Sequence, residues 1–579
     1  MKKKALFVIG MLLLSFVGFG STSIIDPELQ EEMSRRGDNE KIHINILLSE
    51  QADAMALLRE ASFYPTKEAK RLFVIETLKR QAADSQDELL GYLEGMERQG
   101  MVEDIRPLWL VNAVSCMANK TAIEGLALRN DLMMVYQCKE FRYDFGENDL
   151  STLDDGSREI AENLLMVNAD KVWELGFTGQ GVLIGIIDTG VSLTHADLQG
   201  RFWDGGEEYP HHGYDFYDHD NDPSDGRGHG THVAGTICGT GASGTHTGVA
   251  PDAKIMVLKV FNNDELTEAT LWVEAMQFAI EHGADVLNMS LGQPLPDAGV
   301  KLMMRQACDN TLAAGVVASV CAGNVRQMQS MIPIPYNIYS PADCPPPHLH
   351  PDQMVNAGGT SCVICVGAVD FNDNIAAFSS VGPSVWTDVA QYNDYPYSAG
   401  SSTAIGLIRP DVCAPGVNIK SLDYSNDHGY TLKNGTSMAT PCVTGTIALM
   451  LSKDPELTPA QIDEILERTA VPLSPHKSND FGAGRIDALA AVEAVGFDHI
   501  GETLSTQAMV YPNPSSGTFT IQCEGMKLIE IFTMDGRLIQ RIETESPVQQ
   551  FNGLPNGTFL VKITTNDGII VRKAVKLSN

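Results

Sequence analysis

Three short glycine-rich segments place an aspartate, a pair of histidines and a serine along the chain, in that order. Asp188 ends the apolar run GVLIGIIDTG, His229 and His232 lie in GHGTHVAG, and Ser437 lies in NGTSMATP. A serine hydroxyl is a poor nucleophile at neutral pH and needs a neighbouring base. A histidine supplies that base when a carboxylate orients its ring and stabilises the imidazolium. These residue types therefore indicate nucleophilic catalysis by Ser437, with Asp188 and one of the two histidines.

The same residues allow two simpler interpretations. A serine beside a helix start often serves only as an N-cap. His229 and His232 are three residues apart, so on a helix they would share one face and could bind zinc with His246 or nearby carboxylates. The zinc interpretation lacks the H-E-x-x-H arrangement of zinc hydrolases. On the residues alone, both alternatives stay open.

The elements around these residues predict how they are positioned. After the first quarter of the chain, short apolar runs alternate with helical segments, which predicts a parallel sheet flanked by helices. The predicted strands include GVLIGIIDTG, AKIMVLKVF, ADVLNMSLG and GVVASVCAGN. Ligands bind beyond the carboxyl ends of such strands, so Asp188, Ser290 and Asn324 are expected to converge there. The stretch after Ser437 predicts a helix with Pro441 in its first turn, whose N-terminal amides would stabilise an oxyanion.

IIDTGV, GHGTHVAG and NGTSMATP resemble the three active-site signatures of the subtilisin-like serine proteases, the subtilases, and the resemblance extends over about Met166–Val495. It implies a subtilisin-like α/β fold and a serine endopeptidase that acts on proteins or peptides without a catalytic cofactor. In the family the first histidine of G-H-G-T-H faces the serine. The resemblance thus implies that Asp188 orients, His229 is the general base and Ser437 is the nucleophile. An inactive, substrate-binding relative is disfavoured, because every catalytic position is present.

Two more segments match the family pattern. Asn324, in CAGN, matches the asparagine whose side-chain amide binds the oxyanion. NMSLG contains Ser290, Leu291 and Gly292 and resembles the strand that pairs with the substrate backbone, a form of β-augmentation. The resemblance therefore implies an oxyanion site and a substrate-binding strand beside the three catalytic residues.

An acidic loop, YDFYDHDNDPSDG, precedes the histidine segment. Its carboxylates suit structural calcium, and similar loops bind calcium in some subtilases, although a solvated acidic loop explains them equally well. The candidate ligands are Asp215, Asp218, Asp220 and Asp222. Asp197, in THADL, matches another calcium ligand of the family, but the partner loop GTGASGTHTG lacks the usual asparagine.

The N-terminal part of the chain predicts export and a removable domain. Residues 1–22, MKKKALFVIGMLLLSFVGFGST, have the basic start, short apolar core and small residues of a cleaved signal peptide. Residues 23–150 predict a small α+β unit, located where subtilases carry an inhibitory, chaperone-like propeptide that is often ferredoxin-like. The acidic stretch between about Gly146 and Glu162 predicts an exposed linker in which the chain would be cut. The propeptide is thus an expected intramolecular partner of the catalytic domain, residues 151–498.

The C-terminal part of the chain follows a linker, residues 499–507, and predicts a separate domain. Residues 508–579 alternate in period two, with Asp535-Gly536 and Asp567-Gly568 as hairpin turns, and predict an all-β sandwich. YPNP and the basic end VRKAVKLSN resemble the sorting domains of the type IX secretion system of Bacteroidetes. This implies a secretion machinery as partner and a secreted or cell-surface protein beyond the outer membrane. An accessory β-module that binds carbohydrate or stabilises the enzyme is the alternative.

Charge and cysteine content narrow the possible partners. The formal net charge is −33, from 41 basic and 74 acidic residues, which argues against nucleic acid as a partner. Of the eleven cysteines, eight lie between Cys238 and Cys442, and in an oxidising compartment some of them could pair. Cys362 and Cys365 form a C-x-x-C within the apolar run SCVICVGAVD, which favours a buried strand over a redox or zinc motif.

Overall fold

The computed structural model describes residues 24–143, 150–152, 159–346, 361–386, 406–496, 508–511, 518–523, 525–533, 537–544, 546–565 and 569–576. The predicted signal peptide, the linker at 499–507, the two Asp-Gly turns and most of the predicted cut region lie outside these residues. The chain divides into two compact units. The first comprises Met1–Gln51, Ala82–Leu108 and Asn112–Lys139, as far as they are described, and the second comprises Ala52–Gln81, Trp109–Val111 and Glu140–Asn579.

The first unit is built on a four-stranded antiparallel sheet. Its strands lie side by side in the order Val102–Leu108, Ala113–Asn119, Lys41–Leu48 and Leu132–Gln137. Its helices are Pro27–Arg35, Lys120–Leu126 and the C-terminal half of Lys67–Glu97, which buries Leu89 and Leu93 in the core of the unit. The predicted α+β, ferredoxin-like arrangement is therefore confirmed.

The second unit contains a seven-stranded sheet in which every adjacent pair of strands is parallel. The strands lie in the order Val412–Pro415, Val363–Val369, Val317–Cys321, Val286–Met289, Leu183–Asp188, Lys254–Lys259 and Gly213–Asp215. Almost all of their residues are buried, as expected for strands covered on both faces. The predicted parallel sheet is confirmed, and the C-x-x-C run forms the buried strand Val363–Val369.

Helices cover this sheet and also carry the active-site segments. They are Ala54–Ala61, the N-terminal half of Lys67–Glu97, Glu162–Met166, Ala169–Glu174, His229–Cys238, Ala269–Glu281, Ala298–Ala313, Thr436–Lys453, Pro459–Thr469 and Ala488–Ala494. The helix Thr436–Lys453 is buried from Thr436 to Leu451 and packs within the main hydrophobic core. Its many small residues allow this close packing on all sides. Single 3-10 turns occur at Ala196–Leu198 and Arg326–Met328.

Short strands complete the second unit outside the main sheet. Phe141–Arg142 pairs with Leu266–Thr267, and Ile419–Leu422 pairs with Tyr430–Lys433, both in antiparallel fashion. The acidic stretch predicted as an exposed linker also contributes two strands. Leu150–Thr152 pairs with Tyr430–Leu432, and Glu159–Ile160 pairs with Thr245–His246. The prediction of a loose linker is therefore wrong for these five residues, because unpaired edges elsewhere in the unit supply backbone partners for them.

The C-terminal part folds as a β-sandwich of two antiparallel sheets. One contains Ala508–Tyr511, Phe519–Cys523 and Val548–Phe551, and the other contains Met526–Thr533, Leu538–Glu543, Gly557–Thr565 and Ile569–Lys576. The rings of Phe519 and Phe551 stack with their centroids 5.1 Å apart in its core. The predicted all-β module is therefore confirmed.

Two predictions concern disulfide bonds and membrane-spanning helices. The eight cysteines from Cys238 to Cys442 are all described, all buried, and none is joined to another in a disulfide. Among the described residues, no helix is both long and apolar enough to span a membrane.

Candidate active site

Asp188 and His229 come together at the carboxyl edge of the parallel sheet. Asp188 is the last residue of the central strand Leu183–Asp188, and His229 is the first residue of the helix His229–Cys238. Both are buried, and Nδ1 of His229 lies 2.7 Å from Oδ1 of Asp188. An imidazole that donates its Nδ1 proton to a carboxylate keeps Nε2 available as a base. The sequence predicted that Asp188 would lie beside His229, and the structure places the two side chains together.

The Asp225 side chain stabilises the loop that leads to His229. Its carboxylate is half-buried and accepts hydrogen bonds from the Thr189 hydroxyl (3.0 Å), from the amides of residues 227 and 228 (2.8 Å each), and from the amide and hydroxyl of Thr231 (2.9 and 2.6 Å). Burial raises the pKa of Asp225, and these donors oppose that rise. Sequence reasoning did not identify this residue, although an aspartate shortly before a helix start is a recognisable capping signal.

Gly228 is required at the turn between this loop and the helix. Its φ of 82° is left-handed, and a Cβ there would lie 2.3 Å from the ring of Tyr424. The glycine therefore permits both the turn and the close approach that place His229 at the helix start.

His232 has a different environment from His229. Its Nε2 lies 3.0 Å from the carbonyl oxygen of Ile419, and burial lowers its pKa to about 3. It is therefore neutral at physiological pH and anchors the helix to the neighbouring strand. Around the two histidines, within the described part of the chain, no group of three metal-ligating side chains comes together. This arrangement favours His229 as the base over a shared zinc site.

Ser437 lies inside the first turn of its helix and does not cap it. The helix begins at Thr436 after Gly435, and the Ser437 hydroxyl donates to the carbonyl oxygen of Ser290 (3.0 Å). The predicted first-turn position of Pro441 is wrong: Pro441 lies in the second turn, four residues after Ser437. Proline has no N–H, so it cannot donate to the Ser437 carbonyl as helix geometry would require. The Ser290 hydroxyl donates to that carbonyl instead (2.9 Å).

Further hydrogen bonds support the contact between Ser290 and Ser437. The side-chain amide of Asn288 donates to the Ser290 hydroxyl (3.0 Å), and the Thr444 hydroxyl donates to the side-chain oxygen of Asn288 (2.8 Å). All three side chains are buried, so each polar atom depends on these partners. Strand end and helix start are thus fixed to each other around Ser437.

Asn324 lies beside the same helix start. Its side-chain oxygen accepts from the amide (2.9 Å) and the hydroxyl (3.0 Å) of Thr436. Its Nδ2 lies 3.5 Å from the position that a Cβ of residue 435 would take, next to the Ser437 segment. Because the oxygen is committed to Thr436, the amide group presents its N–H donors towards that segment. Sequence reasoning missed Thr436, whose role depends on contacts made only in the folded chain.

The segment predicted as a substrate-binding strand, residues 290–292, lies just beyond the strand Val286–Met289 and is not itself part of a strand. Ser290 and Leu291 are buried, and a Cβ on Gly292 would lie 2.8 Å from the Cβ of Tyr339. A Cβ on Gly323 would lie 2.7 Å from the ring of the same tyrosine. Tyr339 therefore packs across the two segments that flank Ser437, a role that sequence reasoning did not find.

The acidic loop is engaged in internal contacts. The buried Asp215 carboxylate pairs with Lys259 and accepts from the amides of Tyr217 (2.9 Å) and Asp218 (3.1 Å). Asp220 accepts from the amide of Asp222 (2.8 Å). Asp222 in turn accepts from Ser224, and both Asp218 and Asp222 are exposed. In this arrangement the carboxylates cap turns and neutralise a lysine, and they do not fit a shared cation.

The Asp197 carboxylate also accepts three internal hydrogen bonds. Its two oxygens accept from the amides of Ser243 (2.7 Å) and Gly241 (3.2 Å) and from the hydroxyl of Tyr430 (3.0 Å). It therefore fixes the loop around residues 241–243 by hydrogen bonds, an arrangement that does not fit a calcium ion. Calcium binding stays a prediction of the sequence.

Comparison with known proteins now places the chain in a family. The sequence model of the Subtilase family matches residues 179–484. The chain is a subtilase. This subtilase is 35% identical to Subtilisin DY of Bacillus licheniformis over 340 residues, which cover 58% of this chain and 100% of that protein. It is 29% identical to Bacillopeptidase F of Bacillus subtilis over 468 residues, 76% of this chain and 30% of the relative. With Serine protease AprX of Bacillus subtilis the identity is 28% over 409 residues, 65% and 78% of the two chains.

The family membership makes this protein a serine endopeptidase. The model of the Secretion system C-terminal sorting domain matches residues 509–577 of the subtilase. That domain marks it for export through the type IX machinery, to the cell surface or beyond.

Proposed function

We propose that Asp188, His229 and Ser437 form the catalytic triad that hydrolyses peptide bonds in this subtilase. The observation that carries the proposal is the 2.7 Å contact between Nδ1 of His229 and Oδ1 of Asp188, with both residues buried at the sheet edge where Ser290 bonds to Ser437. A carboxylate-held imidazole next to a helix-borne serine is the arrangement that activates a hydroxyl as nucleophile.

The proposed reaction proceeds in two acyl-transfer steps. The Ser437 hydroxyl exchanges its bond to the Ser290 carbonyl for one to Nε2 of His229, which accepts the proton as Oγ bonds to the substrate carbonyl carbon. The imidazolium, stabilised by Asp188, then protonates the departing amine as the carbon–nitrogen bond breaks. Water attacks the acyl-enzyme with His229 again as base, and Ser437 is released.

Asn324 is proposed to receive the negative charge that develops on the substrate oxygen. Its amide N–H donors face the Ser437 segment, and the first amides of the helix Thr436–Lys453 add positive potential there. Donors that are fixed before the reaction cost no reorganisation when the oxyanion forms.

Labelling with a fluorophosphonate probe tests the triad directly. Ser437→Ala should abolish labelling and peptide hydrolysis, and an excess of zinc chelator should leave the unmodified protein fully labelled. Ser452→Ala is the matched control, because it makes the same exchange on the same helix at a hydroxyl whose hydrogen bond, within the described part of the chain, goes to the Leu449 carbonyl. Labelling that survives in Ser437→Ala, or that chelator removes, would contradict the proposal.

We also propose that the protein is a zymogen, with residues 1–22 as signal peptide and the unit before the catalytic domain as propeptide. The ferredoxin-like topology of the first unit supports this, as does the family relationship. Intact mass spectrometry of the purified chain tests it. The active chain should lose its N-terminal unit, whereas Ser437→Ala should retain it. Retention of the unit in both would argue against self-processing.

The sorting domain is proposed to act only in export. A chain truncated near Gly501 should cleave peptides normally in vitro and accumulate in the periplasm. Normal export of the truncated chain would contradict this role for the domain, and loss of activity would show that the sandwich contributes to the enzyme itself.

A further inference from the structure

A short segment of the second unit lies as an added strand beside the active site. Phe141–Arg142 pairs antiparallel with Leu266–Thr267, and the Tyr143 amide donates to the Glu265 carbonyl (2.9 Å). An extended segment held by main-chain bonds to a strand edge is the way in which peptides are bound by β-augmentation. The backbone bonds set the register, and the pockets for alternate side chains set the selectivity.

The Tyr143 side chain fills a closed pocket next to the proposed nucleophile. It is buried, its hydroxyl lies 3.9 Å from Sγ of Cys321, and its ring lies edge-on to Tyr339 with the centroids 6.4 Å apart. The side chains of Thr436 and Ser437 also lie beside the Cys321 thiol. The pocket is therefore walled by the two segments that flank Ser437, and it accepts an aromatic ring.

Phe141, two residues earlier, points to the same side of the strand. Its ring lies edge-on to the fully buried Trp272, with the centroids 5.8 Å apart. Two aromatic residues in alternate positions thus occupy two adjacent apolar sites, as the two-residue period of a strand requires.

Arg142 lies between them and faces Glu265. Its Nε and Nη2 lie 3.2 and 3.1 Å from one Glu265 oxygen, and the other oxygen pairs with Arg227 from the loop that precedes His229. The Glu265 side chain is only 11% exposed, whereas Arg142 is 70% exposed. Glu265 is therefore a fixed part of the cleft. A bound substrate would place its own residue at the position that Arg142 occupies.

We propose that residues 141–143 occupy the substrate cleft and display the peptide class that this enzyme selects, an aromatic residue, a basic residue and a second aromatic residue in succession, with Glu265 recognising the basic one. The inference rests on the proposed triad and assigns its substrate preference. Glu265 is a specificity residue and takes no part in bond breaking.

Competing peptides with identical flanks test the inference on the active enzyme obtained from the full chain. Internally quenched substrates carry Phe-Arg-Tyr, Phe-Ala-Tyr, Phe-Glu-Tyr or Ala-Arg-Ala at the central positions. We expect kcat/KM for the arginine peptide to exceed that for Phe-Ala-Tyr by about fivefold, the upper range for a partly exposed ion pair. Phe-Glu-Tyr should be the slowest of the three aromatic peptides, and Ala-Arg-Ala slower than Phe-Arg-Tyr.

Glu265→Gln should reduce the ratio of kcat/KM for Phe-Arg-Tyr to kcat/KM for Phe-Ala-Tyr to about unity. Asp264→Asn, which removes a charge from the adjacent exposed residue, should keep the preference. Equal rates for all four peptides, or a preference that survives Glu265→Gln, would overturn the inference and leave the protease intact. Absence of both cleavage and fluorophosphonate labelling would instead overturn the triad and the inference together.

Discussion

Replacement of Asp225 by asparagine tests whether the loop before the helix His229–Cys238 is what positions the base. The half-buried carboxylate accepts five hydrogen bonds at 2.6–3.0 Å. An asparagine offers only one acceptor oxygen, so its NH₂ group would face a backbone amide or the Thr231 pair. One buried donor left unpaired costs about 1–3 kcal/mol, and the remaining bonds lose their charge-assisted strength. Relief of the desolvation of the carboxylate offsets part of this, which leaves a net loss of about 2 kcal/mol.

The free energy of unfolding is best measured by denaturant titration in a Ser437→Ala background, where self-digestion cannot occur. The rate of fluorophosphonate labelling in the Ser437 enzyme reports the position of His229. A small displacement of the base typically costs about 10²-fold, so we expect labelling to slow by roughly 10- to 100-fold. Asp222→Asn, three residues earlier and exposed, is the matched control and should change stability by less than about 0.5 kcal/mol. If Asp225→Asn matches this control in both measurements, the positioning role is refuted.

Three other predictions concern the oxyanion, a buried acid and calcium. Asn324→Ala should lower kcat by roughly 100- to 1,000-fold with KM little changed, and an unchanged kcat would exclude Asn324 as a donor. Burial raises the pKa of Asp309 from its ordinary 3.8 to about 7, against the opposing attraction of Arg305 at 3.7 Å. The folded state therefore gains from this group below about pH 4 and loses that gain as the pH rises through 7. Asp309→Asn should accordingly raise the melting temperature more at pH 8 than at pH 4, and an equal effect would contradict the shift. The Asp215 carboxylate pairs with Lys259, and the Asp197 carboxylate accepts hydrogen bonds from two amides and a hydroxyl. A calcium chelator should therefore lower the melting temperature by less than about 2 °C. A drop above about 5 °C would show that the loops rearrange around an ion.

The features that follow from local sequence were predictable. Apolar runs that alternate with helical segments predicted the parallel sheet, and Asp188 and Ser290 lie where strand ends were expected. The sandwich at the C-terminus was predicted by its two-residue alternation. These features depend on periodicity, which acts over a few residues.

Residues whose role depends on distant contacts were not predictable in the same way. The role of Asp225 depends on a hydrogen bond from Thr189, 36 residues earlier in the chain. The role of Thr436 depends on a hydrogen bond to Asn324, 112 residues away. Tyr339 contacts two glycines that the sequence separates widely. The pairing of Leu150–Thr152 was hidden by its acidic neighbours, because composition reports solubility and gives no information on which sheet edge lies nearby. The misplaced turn of Pro441 came from an uncertainty of one or two residues in the helix start.

The reciprocal bonds between Ser290 and Ser437 also set the time at which activity can appear. They join residues 147 positions apart, across a junction that exists only when the strand and the buried helix have both docked. Contacts of such long range form late, since the entropy of closing a large loop must be offset first. A chain that is still partly unfolded during export therefore has no assembled nucleophile. Proteolysis by Ser437 therefore requires that the strand and the helix have both docked.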